Sequence, residues 1–460
     1  MKDLIIIGAG PGGYVAAIRA CQLGMDVALI EKDALGGTCL NRGCIPTKAY
    51  FQNAAVLKTL TRLSEYNVRA ENIGFDMKGA RERKDRIVAR LTSGIKDLLK
   101  GYGVEVIPGE AGIAAPGRVR VGGEEITARN ILIATGSEPA VPPIPGVDLP
   151  GVVTSDQLLE LDTVPERLVV IGGGVIGIEF ACIFNAFGSQ VTVIEYLPDI
   201  LGALDREITR RMGVYLKKQK IAVHTQTGVE RIERRGAGLR VVARGQKGTI
   251  KCAADIVLLA TGRKPYTRGL GLEQLGVTCD QGFIEINENY ETSVPGIYAI
   301  GDVIKGPMLA HVASEEGIAA VERMAGLDHR VDYDAVPSCV FSFPEIASVG
   351  LSQEEAESRG IDIKVGKFPF AANGKALAMG ETDGLVKVIA DADEIIIGVH
   401  IIGPHASDLI QEAGVVVRNK LKAADVSGTI HPHPTLGEAF LEAVLDVQGR
   451  SLHSLPKKGR

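Results

Sequence analysis

The sequence predicts an α/β fold: two modules of one design, followed by a carboxyl-terminal section of α+β character. Three observations carry that prediction. Two glycine-rich turns, Gly8-Ala9-Gly10-Pro11-Gly12-Gly13 and Gly172-Gly173-Gly174-Val175-Ile176-Gly177, each follow a short apolar strand pattern and open a helical stretch. A second strand closed by an acid follows each turn, and the interval from Gly13 to Glu31 equals that from Gly177 to Glu195. Each copy later returns to a strand ending in Ala-Thr-Gly, at 134–136 and at 260–262.

In chain order, Leu4–Ile7 is the first strand, a helix runs from the turn to about Leu23, and Val27–Ile30 is the second strand. The stretch from Gly8 to Gly136 is longer than its counterpart from Gly172 to Gly262, so the first module carries an insertion. It contains Cys39, Cys44 and the segment Arg81–Lys100, whose Ile87, Leu91, Ile95 and Leu98 fall at helical spacing. Pro139, Pro142, Pro143, Pro145 and Pro150 read as an ordered connector, which puts a boundary near residue 145. Leu168–Ile171, Val191–Ile194 and Ile256–Leu259 are the strands of the second module. Gly296–Ile300, closed by Gly301-Asp302, is a further strand. From Pro337 the texture changes to strands around Ser338–Phe343, Leu385–Ala390 and Ile395–Ile401 with helices Ser407–Leu421 and Thr435–Leu445, which fits an antiparallel sheet with helices. The expected segments are 1–145, 146–268, a central 269–335 that returns to the first module, and 336–460.

Composition narrows the function. The chain has 460 residues, 45% hydrophobic and 23% charged, in the range of an ordinary globular protein. Its longest runs without Lys, Arg, Asp or Glu, Leu4–Ile18 and Phe180–Ile194, are both broken by glycine and too short for a membrane-spanning helix. The apolar start runs into glycines rather than a cleavage site, so no targeting segment is expected. A net charge of −5 offers no field for phosphate backbones, which argues against nucleic acid as a partner. Seven scattered cysteines point to a reducing cytoplasm. Glycine is the outlier at 56 residues, about 12% against a usual value near 7%.

The glycine turns have a specific physical reading. The first glycine permits a tight turn, the second lets backbone approach a pyrophosphate, and the third lets helix meet sheet, while the helix amino end supplies unpaired N–H groups. The acid closing the second strand suits a ribose diol. Two such Rossmann-like modules imply two dinucleotides. Glu195 bears on which one the second module takes: a carboxylate accepts from two ribose hydroxyls and repels a 2′-phosphate, and no arginine occurs in Tyr196–Ala203.

Gly36-Gly37-Thr38-Cys39-Leu40-Asn41-Arg42-Gly43-Cys44-Ile45-Pro46-Thr47-Lys48 is the most informative segment. Five positions of ideal helix rise roughly 7.5 Å, beyond the usual Cα separation of a disulfide, so a Cys39–Cys44 bridge needs a distorted turn. Two unpaired core thiols are the alternative. Lys48 lies one turn beyond Cys44 on the same face, where a cation favours a thiolate.

This segment, with Gly306-Pro307-Met308-Leu309-Ala310-His311, Phe368-Pro369-Phe370-Ala371-Ala372-Asn373 and His431-Pro432-His433-Pro434-Thr435-Leu436-Gly437-Glu438, resembles the flavoprotein disulfide reductases, and among them the dihydrolipoamide dehydrogenases. The likeness runs from Leu4 to about Val447. It implies FAD on Gly8, Gly10 and Gly13 with Glu31 on its ribose, lined by Lys48, Ala111, Thr135, Gly136, Ser137, Asp302, Met308, Leu309, Ala310 and His311. It implies NAD on Gly172, Gly174 and Gly177 with Glu179, Glu195, Val229 and Gly262. Cys39 and Cys44 are then the redox-active disulfide, Glu179 pairs with Lys48, and His433, oriented by Glu438, is an acid–base group reaching the site from the partner subunit of a homodimer. The implied reaction oxidises dihydrolipoyl groups on proteins of 2-oxo-acid dehydrogenase complexes or glycine cleavage, with NAD reduced.

Other readings stay open at this level. Thr435 to Glu438 also fits a helix capping box, and Asp302 also fits a plain turn. His431 and His433 alternate as metal ligands would, but no further ligand cluster completes a site, and no metal is expected. Another disulfide reductase of the same fold, or a non-catalytic redox-sensing flavoprotein, would share most motifs. Pro432 and Val312 depart from the family pattern without removing a catalytic group, and the tail Arg450–Arg460 lacks the cysteine pair of a mercuric reductase.

Overall fold

The computed structural model describes residues 1–455; residues 456–460, the end of the expected 336–460 segment, lie outside the described residues. In chain order the first module runs β1 (Lys2–Ile7), α1 (Pro11–Gln22), β2 (Val27–Glu31), α2 (Gly37–Arg42), α3 (Cys44–Leu60), α4 (Met77–Gly101), β3 (Glu105–Pro108), β4 (Ala111–Ala115), β5 (Arg118–Val121), β6 (Glu124–Ile133) and β7 (Ser137–Pro139). β1 lies between β2 and β6 in parallel register, with Leu4 opposite Val27 and Asn130. Both faces are covered, so Leu4, Ile5 and Ile6 read as a continuous apolar run and are fully buried.

The second module runs β8 (Val152–Thr154), β9 (Arg167–Ile171), α5 (Val175–Phe187), β10 (Gln190–Ile194), α6 (Arg206–Lys218), β11 (Ala222–His224), β12 (Thr227–Arg235), β13 (Gly238–Gly245), β14 (Gly248–Ala254), β15 (Ile256–Leu259) and β16 (Arg263–Pro265). Its parallel sheet has the order β11-β10-β9-β15-β8. β16 then pairs antiparallel with β7 and stitches the two modules together, Pro265 opposite Ser137. The chain next returns β17 (Ile297–Ala299) to the first sheet beside β6 and lays α7 (Ala310–Met324) on α1. That helix contact is backbone on backbone: a Cβ on Gly317 would stand 2.6 Å from the Gly12 carbonyl oxygen. The last domain is an antiparallel sheet of β18 (Ser338–Val340), β19 (Glu345–Gly350), β20 (Ile363–Pro369), β21 (Leu385–Asp391) and β22 (Ile396–Gly403), in the order β18-β19-β22-β21-β20, packed with α8 (Ala406–Arg418) and α9 (Glu438–Val447). A buried ion pair docks it on the second module: Lys387 of β21 reaches Asp205, the cap of α6, at 2.7 Å.

Three predicted elements are corrected. α4 begins at Met77 rather than Arg81, because Asp76 caps it by accepting from the Lys78 N–H. Its buried face is Met77, Ala80, Lys84, Ile95 and Leu99, while Leu91 and Leu98 are exposed. The apolar stripe misplaced that face because Lys84 is buried, its Nζ held by Glu160 at 2.6 Å and Asp85 at 2.8 Å. The strand expected over Ser338–Phe343 stops at Val340, where Ser342 turns the chain by donating to the Pro344 carbonyl. α9 starts at Glu438, three residues later than expected, because the Glu438 carboxylate is drawn back over residues 433–435. The antiparallel meander β12-β13-β14 has no counterpart among the predicted elements: charges on β12 and a bulge between Val229 and Arg231 interrupt its alternation. Among the described residues no helix is long and apolar enough to cross a membrane.

Candidate functional site

The two glycine turns are built alike. Gly8 and Gly172 adopt φ of +103° and +113°, where a Cβ would collide with the carbonyl oxygens of Ala134 and Ala260 at 2.4 and 2.2 Å. A Cβ on Gly13 would lie 1.8 Å from the Gly8 oxygen, and one on Gly177 2.0 Å from the Gly172 oxygen. At Gly10 and Gly174 the same test meets no protein atom within 4 Å. These two positions cap α1 and α5, neither helix has a side-chain cap, and neither has an acid in its first turn. Each turn thus presents an open helix amino end of the kind that accepts a pyrophosphate. Gly262 (φ +104°) and Gly136 (φ +67°) likewise open onto space free of protein atoms.

The acids close the turns. Glu31 accepts from the N–H groups of Ala9 at 2.7 Å and Asp33 at 2.9 Å; Glu195 accepts from those of Gly173 at 2.5 Å and Leu197 at 2.6 Å. Each carboxylate therefore holds its own turn in shape at the edge where a ribose would lie. Burial pushes the Glu31 carboxyl up, opposed by the Ala9 N–H.

Cys39 and Cys44 flank a break between helices. α2 ends at Arg42, Gly43 takes φ −135° and ψ −110°, and Cys44 is the first residue of α3. The break is crowded, since a Cβ on Gly43 would sit 3.0 Å from the Thr38 oxygen. Both sulfurs are free thiols, and Cys39 donates a hydrogen bond to Cys44. That bond, helped by the Lys48 ammonium against burial, pushes the Cys44 thiol down to about 7. The same bond and burial push Cys39 up. These effects favour the thiolate at Cys44 over Cys39, and Cys44 gains further from its place at the amino end of a long helix.

Lys48, one turn on, is fixed by Glu179 of α5 at 3.0 and 3.1 Å. Glu179 is buried, its side chain 6% exposed, and also accepts from the Phe341 N–H at 2.9 Å. The Phe341 ring covers the Lys48 ammonium, 4.3 Å from its centroid. All three domains meet at this ion pair. Phe341 carried no sequence signal, because a backbone N–H donor at the end of a strand depends on the tertiary contact alone.

His433 and Glu438 form a second constellation. Nδ1 of His433 is 2.8 Å from Glu438 Oε1, and Glu438 Oε2 accepts from the Thr435 N–H at 2.9 Å. Burial raises the cost of ionising Glu438, but the Thr435 N–H and His433 outweigh it and hold the carboxyl below its usual range. Thr435 Oγ1 donates to the Pro432 carbonyl instead of capping the helix, so the capping box is only half formed and leaves one carboxylate oxygen for the imidazole. The His433 side chain is 77% exposed, and among the described residues no hydrogen bond joins it to either thiol of its own chain. His431, its neighbour, is tied to Glu412 at 2.9 Å.

Most of the remaining predicted residues lie on the first module and the segment that returns to it. Ser137 donates to Asp302 at 2.6 Å, and Thr135 donates to the Tyr266 carbonyl at 2.6 Å. Arg263, directly after Gly262, donates to the Ser137 hydroxyl and carbonyl, both at 2.7 Å, and so links the second module's loop to Ser137 and Asp302. Its sequence position was visible beside the repeated Ala-Thr-Gly, but its partners were not. Met308 and Leu309 precede α7, which Ala310 and His311 open where α7 crosses α1; the His311 ring meets the Pro337 carbonyl at 2.9 Å. Ala111 opens β4, and Val229 stands at the β12 bulge, partly buried under the second sheet. Buried Glu316 is an unpredicted member: it accepts from the Gly301 N–H and the Tyr333 hydroxyl, both at 2.7 Å, and so fixes the turn that carries Asp302.

Comparison with known proteins agrees with this geometry. Residues 2–317 match the family described as pyridine nucleotide-disulphide oxidoreductase, and residues 336–444 match its dimerisation domain. Similar curated proteins include the dihydrolipoyl dehydrogenases of Bacillus subtilis, 42% identical over 98% of this chain and 99% of that one, and of Geobacillus stearothermophilus, 43% identical over 99% and 98%. Among solved structures, LpdA from Mycobacterium tuberculosis superposes with a TM-score of 0.90 at 26% identity over 97% of this chain and 99% of that one. The HOCl-induced flavoprotein disulfide reductase RclA from Escherichia coli gives 0.87 at 30% identity over 96% and 99%. Two open glycine turns and a cysteine pair beside a lysine–glutamate ion pair, in a chain matched over residues 2–317 and 336–444, make this protein a member of the pyridine nucleotide-disulphide oxidoreductase family.

Proposed function

We propose that the chain works as a dihydrolipoyl dehydrogenase, a homodimer that oxidises dihydrolipoyl groups to lipoyl and reduces NAD⁺ to NADH. The Cys39–Cys44 pair, placed on either side of the break at Gly43 and one turn from the Lys48–Glu179 ion pair, is the observation that carries the reaction type. The dihydrolipoyl dehydrogenases that match nearly end to end carry the substrate. The open turns at Gly10 and Gly174 suit FAD and NAD respectively, with Glu31, Asp302 and Ser137 on the FAD side and Glu195, Val229 and Gly262 on the NAD side. Bound FAD supplies a two-electron link between thiol and nicotinamide.

The chain's own groups handle thiols and protons. With Cys39 and Cys44 joined as a disulfide, a substrate thiolate attacks Cys39 sulfur, the Cys39–Cys44 bond breaks, and Cys44 leaves as a thiolate that Lys48 stabilises. The second substrate thiol then attacks the mixed disulfide and releases Cys39, so the substrate leaves as the cyclic disulfide. His433 takes the thiol proton at Nε2, since Nδ1 is held by Glu438, which also fixes the tautomer. The exposure of His433 and the dimerisation domain support its serving the site of the partner subunit. In balance, one dithiol and NAD⁺ give one disulfide, NADH and a proton. Its carriers would be lipoyl-bearing proteins of 2-oxo-acid dehydrogenase complexes or glycine cleavage, met in the cytoplasm. Purified protein with NAD⁺ and dihydrolipoamide should form NADH, read by absorbance; turnover only with unrelated dithiols would assign it to another reductase of the family, and no turnover at all would make it a non-catalytic flavoprotein.

A further inference from the structure

Three side chains of α3, Lys48, Phe51 and Lys58, fall on one face of the helix. Two rings of the last domain, Phe341 and Phe343, interleave with them. The Lys48 ammonium lies 4.3 Å from the centroid of the Phe341 ring, and the Phe341 and Phe51 rings meet edge to face at 5.7 Å. Phe51 then stacks on Phe343 at 4.7 Å, and the Lys58 ammonium lies 4.7 Å from the Phe343 centroid. The result is an unbroken row of cation, ring, ring, ring and cation. Each cation also has a partner in the second module. Glu179 holds Lys48, and Gln219, the residue after α6, accepts from Lys58 at 3.0 Å while donating to the Phe343 carbonyl at 2.6 Å. The Phe341 N–H, donated to Glu179, ties the other end. The row joins all three domains, and only its Lys48 end enters the chemistry above.

We propose that Phe341 is a positioning residue for Lys48: its ring, braced by Phe51 and Phe343, holds the ammonium where it supports the Cys44 thiolate, so that the seating of the last domain sets the reactivity of that thiol. The proposal rests on Cys44 being the thiolate of the reaction proposed above. A lysine side chain is long and flexible, and one carboxylate restrains its ammonium from one side only. An aromatic face attracts an ammonium and keeps water from it. With Glu179 on one side and the ring on the other, the ammonium is held on a residue one helical turn from Cys44, where a cation stabilises a thiolate. The Lys48 side chain is 31% exposed, so without the ring the ammonium is free to turn towards solvent, and the thiolate loses part of its support. Leucine at 341 would keep the backbone N–H that serves Glu179, but it offers neither a π face to Lys48 nor an edge to Phe51. Tyrosine would keep both.

The test uses the FAD-loaded full chain with Cys39→Ser, which leaves Cys44 without a disulfide partner. The rate at which iodoacetamide alkylates Cys44 at neutral pH is read by mass spectrometry of its peptide, with the exposed Cys279 as internal reference. Long-wavelength thiolate-to-flavin absorption is read on the same samples. Adding Phe341→Leu should slow Cys44 relative to Cys279 by about two- to fivefold, the factor a cation–π contact is worth, and weaken the band. Phe341→Tyr should leave both unchanged. In a Lys48→Met background, Phe341→Leu should change nothing, because the ring then has no ammonium to hold. Unchanged reactivity in Phe341→Leu, or an equal slowing with and without Lys48, would overturn the proposal and leave the aromatic row a packing contact. Should Lys48→Met fail to fold, Phe341→Tyr decides: slowing as large as that of Phe341→Leu overturns the proposal too. The assay needs no dithiol, so the two levels separate. Lack of dihydrolipoamide turnover by the unaltered protein sinks the substrate reading alone, and a band in Cys44→Ser but not in Cys39→Ser sinks the role of Cys44 and this proposal with it.

Discussion

The first and second modules close their glycine turns with the same wiring. In each, one oxygen of the acid takes the N–H of the residue after the first glycine, Ala9 or Gly173, and the other takes the N–H two residues beyond the acid, Asp33 or Leu197. The turns share a positive φ at the first glycine and a Cβ-sized gap at the second. Beyond the acid the two modules diverge. The first enters α2, breaks at Gly43 and starts α3 with Cys44; the second passes to Asp205, which caps α6 and docks on Lys387 of the last domain. A nucleotide seat is thus a backbone device that can be repeated unchanged, while redox chemistry is added by a short insertion beside one copy.

The largest effects should come from the part that is not repeated. Cys39→Ser and Cys44→Ser should each abolish dihydrolipoamide oxidation, whereas only Cys39→Ser, which keeps the Cys44 thiolate, should show long-wavelength absorption with oxidised flavin. In the reduced native protein that band should fade as pH falls through about 7, since Cys44 is then protonated. A band in Cys44→Ser instead would reverse the two roles. His433→Gln should lower kcat by about 10²–10⁴, the range of acid–base catalysis, and leave NADH reduction of flavin intact. Mixed dimers of Cys44→Ser and His433→Gln chains should recover activity if the imidazole serves the partner.

The repeated part offers a paired test. Gly13→Ala and Gly177→Ala place a methyl within about 2 Å of a carbonyl oxygen and should each cost folding of the module as well as its nucleotide. Gly10→Ala and Gly174→Ala meet no protein atom, so circular dichroism should be unchanged while FAD affinity falls for the first and NAD affinity for the second. If both members of a pair behave alike, the gap is not a ligand seat. The smallest effect belongs to Glu195. Glu195→Gln should weaken NAD by roughly 1.5–3 kcal/mol, the worth of a charge-assisted hydrogen bond, and narrow the preference over NADP. Measured kcat/KM for both nucleotides decides it, and a native preference for NADP would overturn the role given to this carboxylate.

Sequence alone was enough for whatever depends on neighbours along the chain. Glycine at a φ that other residues avoid, an acid at a fixed interval after it, and a thiol one helical turn from a lysine are local constraints, so both turns and the Cys39-to-Lys48 segment could be read residue by residue. Local reading failed where partners are distant. Lys84 defeated the apolar stripe of α4 because Glu160, far along the chain, compensates its burial. Phe341 gave no signal and Arg263 showed only its place after the repeated Ala-Thr-Gly, because their functions are a backbone N–H aimed at Glu179 and a guanidinium aimed at Ser137, and those directions exist only once the domains have met. His433 lies between these cases. Its type and its carboxylate five residues on are in the sequence, but which oxygen of Glu438 remains for it was decided by the Thr435 N–H claiming the other, because a carboxylate shares its two oxygens according to the geometry of the folded chain.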